Sequence, residues 1–265
     1  MDHPTNDSVL FERRGSIAIV TLNRPEVMNA VNGALWRALA ESLEIFANDS
    51  ALRVMVLTAS GDRSFCAGTD LKAKAAGEME IFENMGKWGY AGIVQHYVNK
   101  PVIAAVNGFA LGGGTEIALA CDLIIASERA TFGLPEVKIG LIAGAGGLLR
   151  LPRQIPLKVA MYHIVTGDPM TPQEAMHWGL INQVVPHSEL LTAAIELALK
   201  ISQNSPLAVS TSKEVVYRGL DAPLDFPSSA WELNEQFIRA IEKSHDAIEG
   251  PLAFAEKRRP IWKDH

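Results

Sequence analysis

The stretch GFALGGGTEIALACD, residues 108 to 122, sets three consecutive glycines ahead of an apolar helical run and places one carboxylate, Glu116, in its first turn. Glycines 112, 113 and 114 carry no Cβ, so a ligand can approach their amides closely and the chain can adopt positive φ. A helix that starts there turns unpaired N–H groups and its positive dipole end toward whatever lies in front, a place to stabilise an oxyanion. The same residues also fit a tight turn whose helix dipole is complemented by Glu116. SFCAGTDLK, residues 64 to 72, exposes amides around Gly68 and Thr69, and equally fits an AG turn with an Asp N-cap. FGLPEVKIG, residues 132 to 140, carries Glu136 after Pro135, which is also the pattern of an ordinary helix start. Burial raises a carboxyl pKa and suits it to acid or base work near neutrality, and two such acids can share a water.

Other chemistries are poorly supported. KIGLIAGAGGLLR, residues 138 to 150, reads as strand, G-x-G turn and helix with Asp168 about twenty residues on, but Leu149 stands where a dinucleotide fingerprint needs its third glycine. No GxSxG elbow supplies a serine nucleophile. The seven histidines show no HExxH or other ligand spacing, so no metal is expected, and His163 and His177 read as core or boundary residues.

The elements that must position these groups alternate through the first half. SIAIVTL (16–22), VMVLTA (54–59) and PVIAAV (101–106) read as strands, and NGALWRALAESLEIFAND (32–49) has helical spacing. Residues 78–98 read as a further helix; CDLIIAS (121–127) and ATFG (130–133) read as strands. This repetition implies crossover units and a largely parallel sheet. Helix, strand and return turn would bring Glu116 and Glu136 to one sheet edge. From about residue 153 the pattern predicts five or six helices without strands, forming a separate layer.

At 265 residues and 48% apolar content the chain can form one large domain that buries roughly three-quarters of its unfolded surface. Its net charge of -6 offers no footprint for nucleic acid or an anionic membrane. Cys66 and Cys121 lie in apolar segments and read as reduced core thiols of a cytoplasmic protein. The polar start MDHPTNDS and the absence of a long apolar run disfavour secretion and membrane spanning.

NRPEVMNAV (23–31), SFCAGTDLK (64–72), the segment KPVIAAVNGFALGGGTEIALACDLIIASERATFGLPEVKIGLIAGAGG (100–147), GDPMTPQEAMHWGLINQVV (167–185) and the ending DAIEGPLAFAEKRRPIWK together resemble the enoyl-CoA hydratase/isomerase, or crotonase, superfamily. The resemblance implies an α/β fold, a spiral of ββα units over residues 1–200, followed over 201–265 by a C-terminal helical region that packs homotrimers, often paired into hexamers. It implies an acyl-CoA substrate and no cofactor beyond the coenzyme A that the substrate carries. It assigns the oxyanion hole to the backbone N–H groups of Thr69 and Gly113. It makes Glu116 the residue that helps activate the water adding to C3, and Glu136 the one that exchanges the proton at C2. It offers Ala67, Asp70, Leu71 and Lys72 for coenzyme A, with Phe254 and Lys257 resembling residues that reach a neighbouring subunit's coenzyme A. Lys257 also fits a solvated surface lysine.

Retention of both glutamates favours reversible hydration of a trans-2-enoyl-CoA over isomerisation or a non-catalytic acyl-CoA binder. Ala143 and Thr115 depart from common family residues and leave acyl preference open. The ending and GGLLRLPRQIP (146–156) look like the branch that includes carnitinyl-CoA dehydratases. A trimethylammonium substrate calls for aromatic faces or carboxylates. Glu78, Glu80, Glu83, Trp88 and Tyr90 could supply these, or could belong to a solvated acidic helix with its aromatics packed inward.

Overall fold

The computed structural model describes residues 6–77, 87–224 and 229–263. A six-stranded sheet has the order β1-β2-β3-β5-β7-β9, and a three-stranded sheet the order β4-β6-β8. The first sheet comprises β1 (Val9–Arg14), β2 (Ile17–Leu22), β3 (Val54–Ala59), β5 (Val102–Val106), β7 (Leu123–Ser127) and β9 (Gln183–Val185). The second comprises β4 (Ser64–Cys66), β6 (Phe109–Leu111) and β8 (Thr131–Gly133). Among the described residues β1–β2 is the only antiparallel strand pair. Consecutive strands from β3 onward therefore alternate between the sheets, and each turn of the chain adds one strand to each. This is the expected ββα spiral.

Alternation along the strands separates two cores. Ala18, Val20, Leu22, Met55, Leu57, Ala104 and Val106 pack with Leu35, Leu39, Leu43 and Phe46 of α1 (Gly33–Asn48). Ile17, Ile19, Val54, Val56, Ile103 and Ala105 face the other way, against Leu190, Ala194 and Ala198. Both faces of the central strands are thus covered, which is why they read as continuous apolar runs. Among the described residues the remaining helices are α2 (Leu71–Ala75), α3 (Gly113–Ala120), α4 (Gly147–Gln154), α5 (Leu157–Thr166), α6 (Pro172–His177), α7 (Leu190–Ser202), α8 (Pro206–Gly219), α9 (Ser229–Ile241) and α10 (His245–Ala255).

Three expectations change. The C-terminal half is not free of strands: β9 pairs in parallel with β7, Ile125 opposite Gln183, where three residues at the sheet edge carry too little pattern to read alone. Of the helix expected over 78–98, residues 78–86 lie outside the described residues. Residues 87–98 contain only a 3-10 turn, Tyr90–Gly92, because Gly89, Ala91 and Gly92 all have positive φ and cannot continue a right-handed helix. The segment before GAGG is not a strand but the 3-10 turn Pro135–Ile139, closed by left-handed Gly140, so the dinucleotide reading loses its first element.

Candidate active site

The three glycines have three separate neighbours. A Cβ on Gly112, whose φ is +54°, would stand 2.9 Å from Oε1 of Glu136. One on Gly113 would stand 2.5 Å from the Tyr90 ring, and one on Gly114 would collide with the carbonyl of Cys66. Side chains here would push away a carboxylate, an aromatic ring and the neighbouring backbone, so the motif serves close approach as well as turning.

The amides of Thr69 and Gly113 come from adjacent pieces of backbone. Val31 donates to Gly68 O at 2.8 Å and Asp70 donates to Val31 O at 2.9 Å, which holds Thr69 at an isolated bridge with Val31. A Cβ on Gly68 would fall 3.3 Å from the nitrogen of Gly113, which shows how closely the two turns pass. Among the described residues neither the Thr69 amide nor the Gly113 amide donates to an acceptor. Gly113 is the first residue of α3, where the helix leaves its N–H groups without intrahelical partners.

Glu116 lies on the buried side of α3, only 3% exposed. Its Oε1 accepts the amide of Gly147 at 2.8 Å, at the start of α4. Burial raises its pKa to about 7, against the Gly147 hydrogen bond, and the charge of Glu136 pushes it further the same way. Glu136 begins its 3-10 turn immediately after Pro135, and burial raises its pKa as well. Its Oε2 is buried without a hydrogen-bond partner among the described residues. Thr115 fixes the relation between the two acids: its hydroxyl lies 2.6 Å from Ala110 O and 2.9 Å from Gly133 O, and accepts the Gly133 amide at 3.0 Å. The first turn of α3 is thereby tied to the strand that leads into Glu136.

The structure brings Glu116, Glu136, Thr69 and Gly113 to one place and divides the other candidates. Asp70 is fully engaged: Oδ1 caps α2 through Lys72 N and Ala73 N at 3.2 Å, and Oδ2 takes two Arg24 hydrogen bonds at 3.1 Å. Burial opposes its ionisation, but these amides and the guanidinium outweigh it and hold the carboxyl below its ordinary value. Asp70 shapes the turn, while Ala67, Leu71 and Lys72 are exposed beside it. Phe254 is 87% exposed on α10 and Lys257 sits just beyond it at φ 53°. Among the aromatic candidates, Trp88 already has His96 stacked at 4.6 Å and the Lys87 ammonium 4.7 Å from its ring. Tyr90 instead meets Trp36 edge-on at 5.3 Å and reaches the glycines. Glu78, Glu80 and Glu83 lie outside the described residues.

Arg150 carried no functional role in the sequence reading. Its guanidinium donates to Val94 O at 2.6 Å, and its charge lowers the pKa of nearby Glu116. Its sequence signal is only a basic residue one turn into a Gly-Gly helix start, which is not distinctive. The thiols of Cys66 and Cys121 are both buried and unpaired. Burial raises the Cys66 pKa to about 12. Among the described residues no helix is long and apolar enough to cross a membrane, and no three His, Cys, Asp or Glu side chains form a metal cluster.

Residues 12–265 match the family described as Enoyl-CoA hydratase/isomerase. A carnitinyl-CoA dehydratase of Salmonella arizonae is 43% identical over 98% of this chain and 100% of its own. The crystal structure of an enoyl-CoA hydratase from Mycobacterium tuberculosis H37Rv superposes with a TM-score of 0.92 at 43% identity, covering 97% of this chain and 99% of that one. That of a carnitinyl-CoA hydratase from Mycobacterium avium gives 0.77 at 49% identity, covering 98% and 100%.

Proposed function

The chain belongs to the enoyl-CoA hydratase/isomerase family, and from that premise we propose that it adds water reversibly across the C2–C3 double bond of a trans-2-enoyl-CoA, with Glu116 and Glu136 as the acid–base pair. The observation that carries this reading is a pair of carboxyls with raised pKa values beside two backbone amides that have no acceptor among the described residues. The thioester oxygen is placed between the amides of Thr69 and Gly113. Water sits against the carboxyls, one of which holds a proton. As the water oxygen bonds to C3, its proton passes to the Glu116 carboxylate and the π electrons move onto the thioester oxygen. The Glu136 carboxyl then gives its proton to C2, and the enolate collapses to the 3-hydroxyacyl thioester. Each oxyanion donor contributes on the order of 10² to 10³ in rate, and acid–base help roughly 10² to 10⁴.

No cofactor is used in this scheme beyond the coenzyme A of the substrate. The exposed turn at Ala67, Leu71 and Lys72 is assigned to it, with Asp70 holding the turn. Phe254 and Lys257 are assigned to the coenzyme A of a neighbouring copy in a homotrimer or hexamer. Exposed Ile142, Leu149, Leu157 and Val165 support such an assembly, since these apolar residues otherwise face water. The helical region from residue 201 is assigned to that contact. The two buried unpaired thiols suit a cytoplasmic setting. Neither nucleic acid nor membrane is proposed as a partner.

The test is loss of enoyl-thioester absorbance from crotonyl-CoA without added metal or nicotinamide. Glu116→Gln and Glu136→Gln each abolish the loss if the assignment is right; unchanged turnover in both refutes it. Dehydration of carnitinyl-CoA is the second reading, favoured by the named relatives and by Tyr90, which Trp36 backs edge-on and on which both carboxyls act electrostatically. The ratio of kcat/KM for crotonobetainyl-CoA and crotonyl-CoA decides between them.

A further inference from the structure

Tyr90 stands against the same amides, and neither the acid–base pair nor the two-amide cradle accounts for it. Its hydroxyl is 3.2 Å from Oγ1 of Thr69. Its ring lies where a Cβ on Gly113 would be, with Cε1, Cζ and the hydroxyl oxygen all 2.5 Å from that point. The charges of Glu116 and Glu136 both act on it. It therefore borders the turn at Thr69 and the helix start at Gly113, within electrostatic reach of both carboxyls.

The proton count at this hydroxyl pair is uneven. Tyr90 and Thr69 each bring one O–H, and the single hydrogen bond between them uses one. Among the described residues no other acceptor is bonded to either hydroxyl, so one O–H proton of this partly buried pair has no protein partner. A partly buried donor with no protein acceptor is open to a hydrogen bond to the oxygen of a bound ligand. Burial, reinforced by the thiol of Cys66 and the two carboxylates, keeps the Tyr90 phenol protonated well above the ordinary tyrosine range. It can therefore donate a hydrogen bond throughout the neutral range.

The loop beneath Tyr90 is built to hold it there. Gly89, Ala91 and Gly92 have φ of 66°, 54° and 70°, and a Cβ on Gly92 would strike Ala40 of α1 at 2.5 Å. Gln95 N bonds Trp88 O at 2.9 Å, Arg150 bonds Val94 O, and His96 lies 3.0 Å from Glu44. Positive φ at Ala91, a non-glycine residue, costs free energy that this surrounding packing sustains. Trp36 supports the ring edge-on.

We propose that the Tyr90 phenol is a third member of the oxyanion cradle, a side-chain donor that hydrogen-bonds the acyl-CoA carbonyl oxygen alongside the amides of Thr69 and Gly113. The inference rests on the acyl-CoA reading above. No proton is transferred in this step: negative charge builds on the thioester oxygen as the C3–O bond forms, and the phenol keeps its proton while sharing it with that oxygen. Thr69 then contributes twice, by its amide to the substrate and by its hydroxyl to Tyr90.

The first measurement is Tyr90→Phe on the full chain, which keeps the ring and removes only the hydroxyl. A lost oxyanion donor lowers kcat by about 10² with KM changed little. A second readout requires no turnover: the pH at which bound acetoacetyl-CoA becomes an enolate, followed by its absorbance, rises by about one unit or more in the variant. A packing role would leave that midpoint in place. Wild-type kcat/KM and an unshifted midpoint in Tyr90→Phe overturn the proposal, and so does a faster variant, which would make the phenol an obstruction. Should Tyr90→Phe fail to fold, Thr69→Val, which retains the amide, gives the same upward midpoint shift at smaller amplitude; no shift overturns the proposal. If the wild type hydrates nothing yet binds the enolate with a Tyr90-dependent midpoint, the hydratase reading fails and the cradle stands. If it binds no acetoacetyl-CoA, both fall.

Discussion

Glu116 takes a 2.8 Å hydrogen bond from the amide of Gly147, the first residue of α4, across 31 residues of chain. That bond stabilises the carboxylate form, while burial and the nearby Glu136 stabilise the protonated form. The result of this opposition is a carboxyl poised near neutrality, with its orientation set by a helix that otherwise plays no part in the sheet.

The pH dependence of turnover follows from the pair. Glu116 works as the base when deprotonated, so activity rises through about pH 7. Glu136, also raised, must carry its proton to reach C2, so its ionisation opposes turnover. A bell-shaped kcat/KM profile is expected, whose two apparent values belong to the coupled pair. A flat profile from pH 5 to 9 would remove these carboxyls from the rate-limiting chemistry.

Stability carries the opposite sign. A carboxyl raised from 4.5 to about 7 in the folded state contributes stability that is present below pH 4.5 and lost as pH rises through about 7. Glu116→Gln removes that loss, and is expected to stabilise the protein by roughly 3 kcal/mol at pH 8 while leaving it little changed at pH 4. Denaturant unfolding at the two pH values tests the difference.

Gly112→Ala places a methyl 2.9 Å from Oε1 of Glu136 at a residue whose φ is +54°. The left-handed backbone costs about 1 kcal/mol or more. The displaced carboxylate lowers kcat by roughly 10². Kinetics with parallel unfolding curves separate the two effects, and full activity in a destabilised variant would show that Glu136 tolerates the shift.

Arg150→Met deletes the bond to Val94 O and a positive charge that favours ionised Glu116. The limb of the pH profile that reports Glu116 is expected to move upward by up to about one unit. Movement downward would contradict the electrostatic role.

Asp70→Ala removes the cap of α2 and the partner of Arg24 together. A loss of about 1–3 kcal/mol is expected. Because the turn beside it is assigned to coenzyme A, KM should rise more than kcat falls; an unchanged KM would detach Lys72 and its neighbours from the cofactor portion of the substrate.

Much of the site could be read directly because its parts are local. Glycines before a helix, a carboxylate in the first turn and a Pro-Glu start each have a short-range signature, and together they carried the family resemblance. Trp88 and Tyr90, two residues apart, looked interchangeable as aromatics. In the fold the left-handed backbone at Gly89 and Ala91 sends Tyr90 to Gly113 while Trp88 stacks on His96. Asp70 reads as a coenzyme A candidate from its motif, and only the fold shows that Arg24, 46 residues earlier, takes up one of its carboxylate oxygens.

The sequence by itself determined the largely parallel strand pattern, the glycine turns and both acids, because propensity, pattern and motif act over a few neighbouring residues. Only the tertiary structure decided that Gly147 would orient Glu116, that Oε2 of Glu136 would be left unpaired, and that the hydroxyls of Tyr90 and Thr69 would meet. Those outcomes depend on distances between segments that are remote along the chain. Desolvation, which sets the carboxyl pKa values, does not exist until those segments have packed.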